Sequence, residues 1–215
     1  MTKIKACIFD LDGVIVDTAK YHYLAWKRLA KELDFDFTEK DNERLKGVSR
    51  MDSLEILLEI GQRSLDQEIK EKLATKKNDW YVEYISNMSE DEILPGVKDF
   101  LNLLRQAGIK VSLGSVSKNA MKILNSINLI QYFDAIIDGT KINHAKPNPE
   151  VFLKGAEELN VSPENCVVFE DASAGIDGAI NAGMYSVGVG SPEILNRANK
   201  IISGFQNIDL SILEF

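Results

Sequence analysis

Ala6-Cys7-Ile8-Phe9-Asp10-Leu11-Asp12-Gly13-Val14 is the stretch that decides how this chain folds. A short continuous apolar run ends in two acids, and Gly13 then breaks it. Such a run, bounded by a turn signal, is the pattern of a strand buried on both faces. Alternate residues of a strand share a face, so Asp10 and Asp12 can converge. By itself the pair reads equally well as two acids at a strand exit. A strand this buried, however, seldom ends in unpaired carboxylates.

The period changes after Asp17. Ala25, Leu29 and Leu33 recur at helical spacing, with Trp26 and Ala30 beside them. Further helical segments are predicted near 39–46, 50–60 and 65–86, with no strand between them. They end near Ser89-Glu90-Asp91-Glu92, before Pro95-Gly96. Beyond that point strands and helices alternate. A helix from Val97 stops at Gly108, and strands are predicted at 109–113, 135–137, 166–169, 186–189 and 200–202. Ser117 is expected to cap a helix at 118–127, Pro149 to open one at 150–159, and Gly183 to close one at 172–182. Short apolar strands separated by helices imply a parallel sheet covered on both faces. The expected fold is therefore α/β. A Rossmann-like core, residues 1–15 and 90–215, is interrupted after its first strand by an all-helical cap, residues 16–89.

Composition narrows the function. The 215 residues carry a formal net charge of -8, against a nucleic-acid partner, which demands a basic patch. A small phosphorylated molecule is still open, because a local cationic pocket or a bound cation can hold phosphate. Cys7 and Cys166 each lie in an apolar run and read as buried thiols of a reducing compartment. No secretory segment and no stretch long enough to span a membrane is seen, so a cytoplasmic protein with no membrane partner is expected.

In open α/β sheets ligands bind beyond the carboxyl ends of the strands, and chemically suggestive groups recur there. Leu113-Gly114-Ser115-Val116-Ser117-Lys118-Asn119 offers O–H and N–H donors to a phosphate. Alone it reads better as an ordinary capped helix. Lys146-Pro147-Asn148-Pro149 is a stiff loop that can aim an ammonium group, and alone it reads better as a solvated lysine. Val168-Phe169-Glu170-Asp171 again ends an apolar strand in two carboxylates, hard oxygen ligands that suit Mg²⁺.

Taken in order, Asp-x-Asp-Gly, Ser, Lys-Pro and Glu-Asp resemble the four-motif signature of the haloacid dehalogenase superfamily, over the whole chain. The resemblance implies that Asp10 attacks a phosphate and becomes an aspartyl phosphate. Asp12 would be the general acid and base, with Ser115 and Lys146 easing charge repulsion. Mg²⁺ would be held by Asp10, the Asp12 main-chain oxygen, Glu170 and Asp171.

The helical segments add Asp17-Thr18, Tyr21-His22, Lys46-Gly47-Val48-Ser49-Arg50 and Asp52-Ser53. These resemble the sugar-phosphate mutase branch of that superfamily. The branch implies interconversion of β-D-glucose 1-phosphate and glucose 6-phosphate through β-glucose 1,6-bisphosphate. By that resemblance Arg50 grips the distal phosphate, Lys46, Gly47 and Ser53 line the sugar site, and Lys76 contributes from the cap. Thr18 and His22 couple closure to catalysis. Val116, Ser117, Lys118 and Asn119 bind substrate on the core side. Lys20 and Lys77 are expected to be solvated. Val116 and Gly114 stand where alanine is usual, and Gly114 is expected to compensate for the bulk of Val116. The expected partners are small sugar phosphates met by a monomer. A phosphatase for sugar phosphates or phosphoglycolate is the alternative. A noncatalytic phosphate-binding protein is a third reading, opposed by the intact Asp10, Asp12, Lys146 and Asp171.

Overall fold

The computed structural model describes residues 4–45 and 48–215. Lys46 and Gly47, expected at the sugar site, lie outside the described residues. The core is a six-stranded, all-parallel sheet. In chain order the strands are β1 (Ala6–Phe9), β2 (Lys110–Gly114), β3 (Ala135–Ile137), β4 (Cys166–Glu170), β5 (Tyr185–Val189) and β6 (Lys200–Ile202). Their spatial order is β3-β2-β1-β4-β5-β6. β1 is thus central, with Phe9 paired to Leu113 on one side and to Phe169 on the other.

The pleat sends alternate side chains to two separate cores. Cys7, Phe9, Val167 and Phe169 enter one, Ala6, Ile8, Cys166 and Val168 the other. On the first face Phe9 stacks on Phe169 with ring centroids 4.7 Å apart, and Phe100 meets both rings edge-on. Phe100 belongs to α5 (Val97–Gln106), and α6 (Ala120–Ser126) packs on the same side. The second face is covered by α7 (Glu150–Glu158) and α8 (Ser173–Asn181), with Phe152 packed against Gly178.

After β1 and before α5 the chain leaves the sheet and, among the described residues, builds four α-helices: α1 (Ala19–Glu32), α2 (Glu39–Asn42), α3 (Arg50–Ile60) and α4 (Gln67–Ile85). Ala25, Trp26, Leu29 and Ala30 of α1 pack against Ala74, Lys77, Trp80, Tyr81 and Ile85 of α4. The chain departs and returns side by side. Val16 bridges Ile93, and the Leu94 N–H donates to the Ile15 carbonyl at 2.9 Å. Across this crossing Lys20 and Tyr21 bind Glu92 at 2.6 and 2.7 Å.

Local chemistry explains where the expected boundaries move. β1 ends at Phe9, so Asp12 is not carried on the strand pleat; a turn with Gly13 at φ 82° bridges Asp12 to Val16. The segment expected to be helical over 39–46 divides into α2 and a 3₁₀ turn, Glu43–Leu45. Ser117 does not cap α6: Asn119 stands at its N-cap, and the Ser117 hydroxyl accepts from the Asn119 N–H at 3.2 Å. Gly114 is not beside Val116 in the site. Its missing Cβ would lie 3.0 Å from Ile8 and 3.1 Å from Phe152, so it serves the packing of the second core.

Candidate active site

At the carboxyl ends of β1, β2 and β4 the core meets the helical insertion around a cavity of about 240 Å³. The core contributes Asp10, Asp12, Val116, Ser117, Lys118, Asn119, Lys146, Glu170 and Asp171; the insertion contributes His22, Arg50, Ser53 and Lys77. Residues distant in sequence are therefore gathered in one space, although the Ser115 and Lys146 stretches alone read blandly.

The core side is built on buried charge. Lys146 is 4% exposed and donates to both Asp10 and Glu170, the latter at 2.6 Å. Burial alone lowers its pKa, but Asp10 and Glu170 more than reverse this and hold it above the ordinary lysine value. Glu170 is anchored a second time by the Ala172 N–H, at 2.9 Å. Its pKa is raised by burial and by Asp10, against the opposing pull of Lys146. Asp12 is raised to about 7, first by burial and then by Asp10, with Lys146 and Lys77 opposing. The Thr18 hydroxyl donates to Asp12 Oδ1 from the start of the insertion. Thr18 is fully buried and does not line the cavity; it acts on Asp12. Ser115 is likewise buried away from the cavity, and its hydroxyl accepts the Ser117 N–H at 3.1 Å, bracing the loop after β2.

The side chains at the ends of β1 and β4 are hard oxygen donors, as Mg²⁺ prefers. Two glycines make room for them. A Cβ on Gly13 would lie 2.2 Å from Asp171 Oδ2, and one on Gly175 would lie 2.0 Å from Glu170 Oε1. Among the described residues the acids are not drawn into a cluster of three metal-donor side chains. Instead the Lys146 ammonium bridges Asp10 and Glu170. The set fits Mg²⁺ in donor type, and Mg²⁺ needs few carboxylates because it keeps several waters.

The insertion supplies cations. Arg50 opens α3 behind the Ser49 N-cap, whose hydroxyl accepts the Asp52 N–H at 3.2 Å. Lys77 is 2% exposed, lies over the rings of Trp26 and Tyr81, and meets His22 Nδ1 at 3.1 Å. Burial and then Arg50 push its pKa down to about 7, while Asp12 pulls the other way. Here the expectation for α4 is corrected. Lys77, expected in solvent, is in the cavity. Lys76 is not: it pairs with Glu32 at 2.5 Å on the outer side of the helix. The helical period decides this, because Ala74, Lys77 and Tyr81 form the buried stripe and Lys76 falls beside it. That spacing was visible in the sequence. Lys20, paired with Glu92, stays at the surface as expected. Asn42 and Asn78 also line the cavity without having been anticipated. Asn42 is buried, and among the described residues its Oδ1 has no partner.

Residues 4–183 match the model of the haloacid dehalogenase-like hydrolases. The chain belongs to this family. Within it, the chain is 42% identical to a β-phosphoglucomutase of Bacillus subtilis, over 98% of this chain and 94% of that protein. The crystal structure of a β-phosphoglucomutase from Clostridium difficile superposes with a TM-score of 0.93 at 45% identity, covering 98% of this chain and 96% of that one. A phosphorylated carbohydrates phosphatase of Thermotoga maritima is 33% identical, over 86% of this chain and 84% of its own length. The haloacid dehalogenase-like fold accounts for the parallel core, and the four inserted helices occupy the position of its cap.

Proposed function

We propose that this chain is a phosphotransferase that interconverts β-D-glucose 1-phosphate and glucose 6-phosphate. It does so through a phosphoaspartate at Asp10 and β-glucose 1,6-bisphosphate. The observation that carries this reading is the cavity's two-sided supply of cations: Lys118 and Lys146 from the core, Arg50 and Lys77 from the cap. A phosphatase needs one phosphate site. A mutase working through a bisphosphate needs two, and a planar Arg fork suits the second. The likeness to two β-phosphoglucomutases over nearly the full chain supports it further.

In this reading residues 16–89 form the cap, and 1–15 with 90–215 the core. Asp10 Oδ attacks the phosphorus, and the bond to the sugar oxygen breaks. Asp12, protonated at the start, gives its proton to that oxygen and later takes one from the hydroxyl that attacks the phosphoenzyme. A pKa raised to about 7 suits a group that must serve in both roles. Thr18, donating to Asp12 from the N-cap of the first cap helix, links the position of the cap to the aim of that carboxyl. Lys146 screens the charge between Asp10 and the incoming phosphate. Ser117, Lys118 and Asn119 hold substrate on the core side, and Arg50, Ser53, His22 and Lys77 hold it from the cap. Asp10, the Asp12 main-chain oxygen, Glu170 and Asp171 would hold Mg²⁺, which would supply electrostatic stabilisation of the transferring phosphoryl group.

The test is to supply β-glucose 1-phosphate with a trace of β-glucose 1,6-bisphosphate and saturating Mg²⁺, and to follow glucose 6-phosphate and inorganic phosphate together. Glucose 6-phosphate should dominate. If inorganic phosphate is the main product, the chain is a sugar phosphatase like the Thermotoga relative.

A further inference from the structure

Asparagine at a helix N-cap ordinarily accepts a backbone N–H of its own helix. Asn119 holds that position on α6 but makes no side-chain cap hydrogen bond. Its Nδ2 instead donates to Asn78 Oδ1 at 3.0 Å. Asn78 lies inside α4, where asparagine is a weaker helix former than lysine or alanine. Each residue therefore forgoes what its type does best locally, and together they join the cap to the core. Both are half-buried and both line the cavity. Asn78 follows Lys77, which reaches His22, and Asn119 follows Lys118 in the loop after β2. The contacts of Lys20 and Tyr21 with Glu92 sit where the chain crosses between the two parts, at the hinge. The asparagine pair sits at the cavity, where opening must break it.

We propose that Asn78 and Asn119 form a latch that holds the cap shut over the phosphoenzyme and so favours transfer to sugar over loss to water. This rests on the mutase reading above. Two reactions compete for the phosphoenzyme. In one, a sugar hydroxyl attacks phosphorus, the bond to Asp10 breaks, and the hydroxyl proton goes to Asp12. In the other, water attacks phosphorus and gives its proton to Asp12, the same bond breaks, and inorganic phosphate leaves. Cap opening admits water to the second path and releases the sugar needed by the first. Asn78 is thus a positioning residue, acting through the residence of the cap.

The experiment loads the Mg²⁺ enzyme from acetyl [³²P]phosphate, adds saturating glucose 6-phosphate, and measures labelled bisphosphate against labelled inorganic phosphate. In Asn78→Ala that ratio should fall roughly three- to tenfold, the range that one net hydrogen bond supplies. Alanine is the better helix former, so thermal unfolding should show the variant at least as stable as wild type. Asn78→Leu, which keeps side-chain bulk, should behave alike. The double variant Asn78→Ala/Asn119→Ala should lose less than the product of the two single losses, as expected for one shared bond. An unchanged ratio in folded Asn78→Ala, or strictly multiplicative losses, overturns the latch. If wild type forms no bisphosphate at all, the mutase reading is what fails. The latch is then judged on decay of the labelled phosphoenzyme alone, which must be faster in Asn78→Ala; equal decay overturns it.

Discussion

The Lys77 ammonium lies 3.1 Å from His22 Nδ1, packed over the rings of Trp26 and Tyr81. When Lys77 is protonated it can only donate, so Nδ1 then accepts and the neutral His22 carries its proton on Nε2. Burial first, then Lys77 and Arg50, hold the His22 pKa well below its ordinary value. The cap thus sets Arg50, an uncharged histidine and a lysine that charges readily beside one another, an arrangement that favours an anion.

The first expectation concerns protons. Free Lys77 titrates near pH 7, with Arg50 on α3, His22 on α1 and Asp12 on the core side facing it, and Tyr81 beside it on α4. A phosphate close by favours the charged form, so binding of glucose 6-phosphate at pH 8 should take up protons. Calorimetry in buffers of different ionisation enthalpy reads this uptake directly, and Lys77→Met should lose it. The sign for stability follows from the same shift. Between pH 7 and the ordinary lysine value the unfolded chain binds more protons than the folded one. Stability should therefore rise with pH through that window, and Lys77→Met should flatten the rise.

Neighbouring lysines provide a sharp contrast. Lys77→Met should raise KM for glucose 6-phosphate at least about tenfold, the scale of a lost charge-assisted hydrogen bond. Lys76→Met removes an exposed pair with Glu32 and a contact with the Trp80 ring, both outside the cavity, so its kinetics should stay within about twofold of wild type. Steady-state kinetics of the two variants side by side decide whether the helical period places the right lysine in the cavity.

Arg50→Ala tests the second phosphate site. Transfer to glucose 6-phosphate should fall by about 10²-fold or more, as for a lost bidentate phosphate contact. Hydrolysis of acetyl phosphate, which has no second phosphate, should fall far less. An equal fall in both reactions would assign Arg50 to upholding the cap fold instead.

The two aspartates should separate cleanly. In Asp10→Asn, acid-quenched enzyme should carry no label from acetyl [³²P]phosphate, and turnover should drop by several orders of magnitude. In Asp12→Asn turnover should fall roughly 10²–10⁴-fold, the usual worth of general acid–base catalysis. Thr18→Val, which removes the donor to Asp12, should lower kcat with little change in KM.

Removing Lys146 should be felt in stability as well as activity. Lys146→Met leaves Asp10 and Glu170 buried without their shared cation. Breaking a buried ion pair from one side costs about 3–5 kcal/mol, readable in urea unfolding.

Within the core, short apolar runs, each ended by an acid, a hydroxyl or a turn residue, determined the parallel sheet and which of its ends carries the candidate site. That part is local: burial, pleat and helical period act over a few residues, and they placed Asp10, Glu170, Asp171 and the loop after β2 without reference to the rest of the chain. Arg50 was also legible, through the resemblance of its whole segment. Tertiary structure alone decided what depends on the closing of cap over core. Asp12 is aimed by a turn at Gly13 and by Thr18, not by the strand that precedes it. The spacing that puts Lys77 on one stripe with Ala74 and Tyr81 was legible, but only the packing of α4 against α1 buries that stripe, lysine included. Asn78 and Asn119 are separated by the end of α4, by α5 and by β2. Their hydrogen bond exists only because two independently built surfaces meet, and no periodicity in either segment encodes the distance between them.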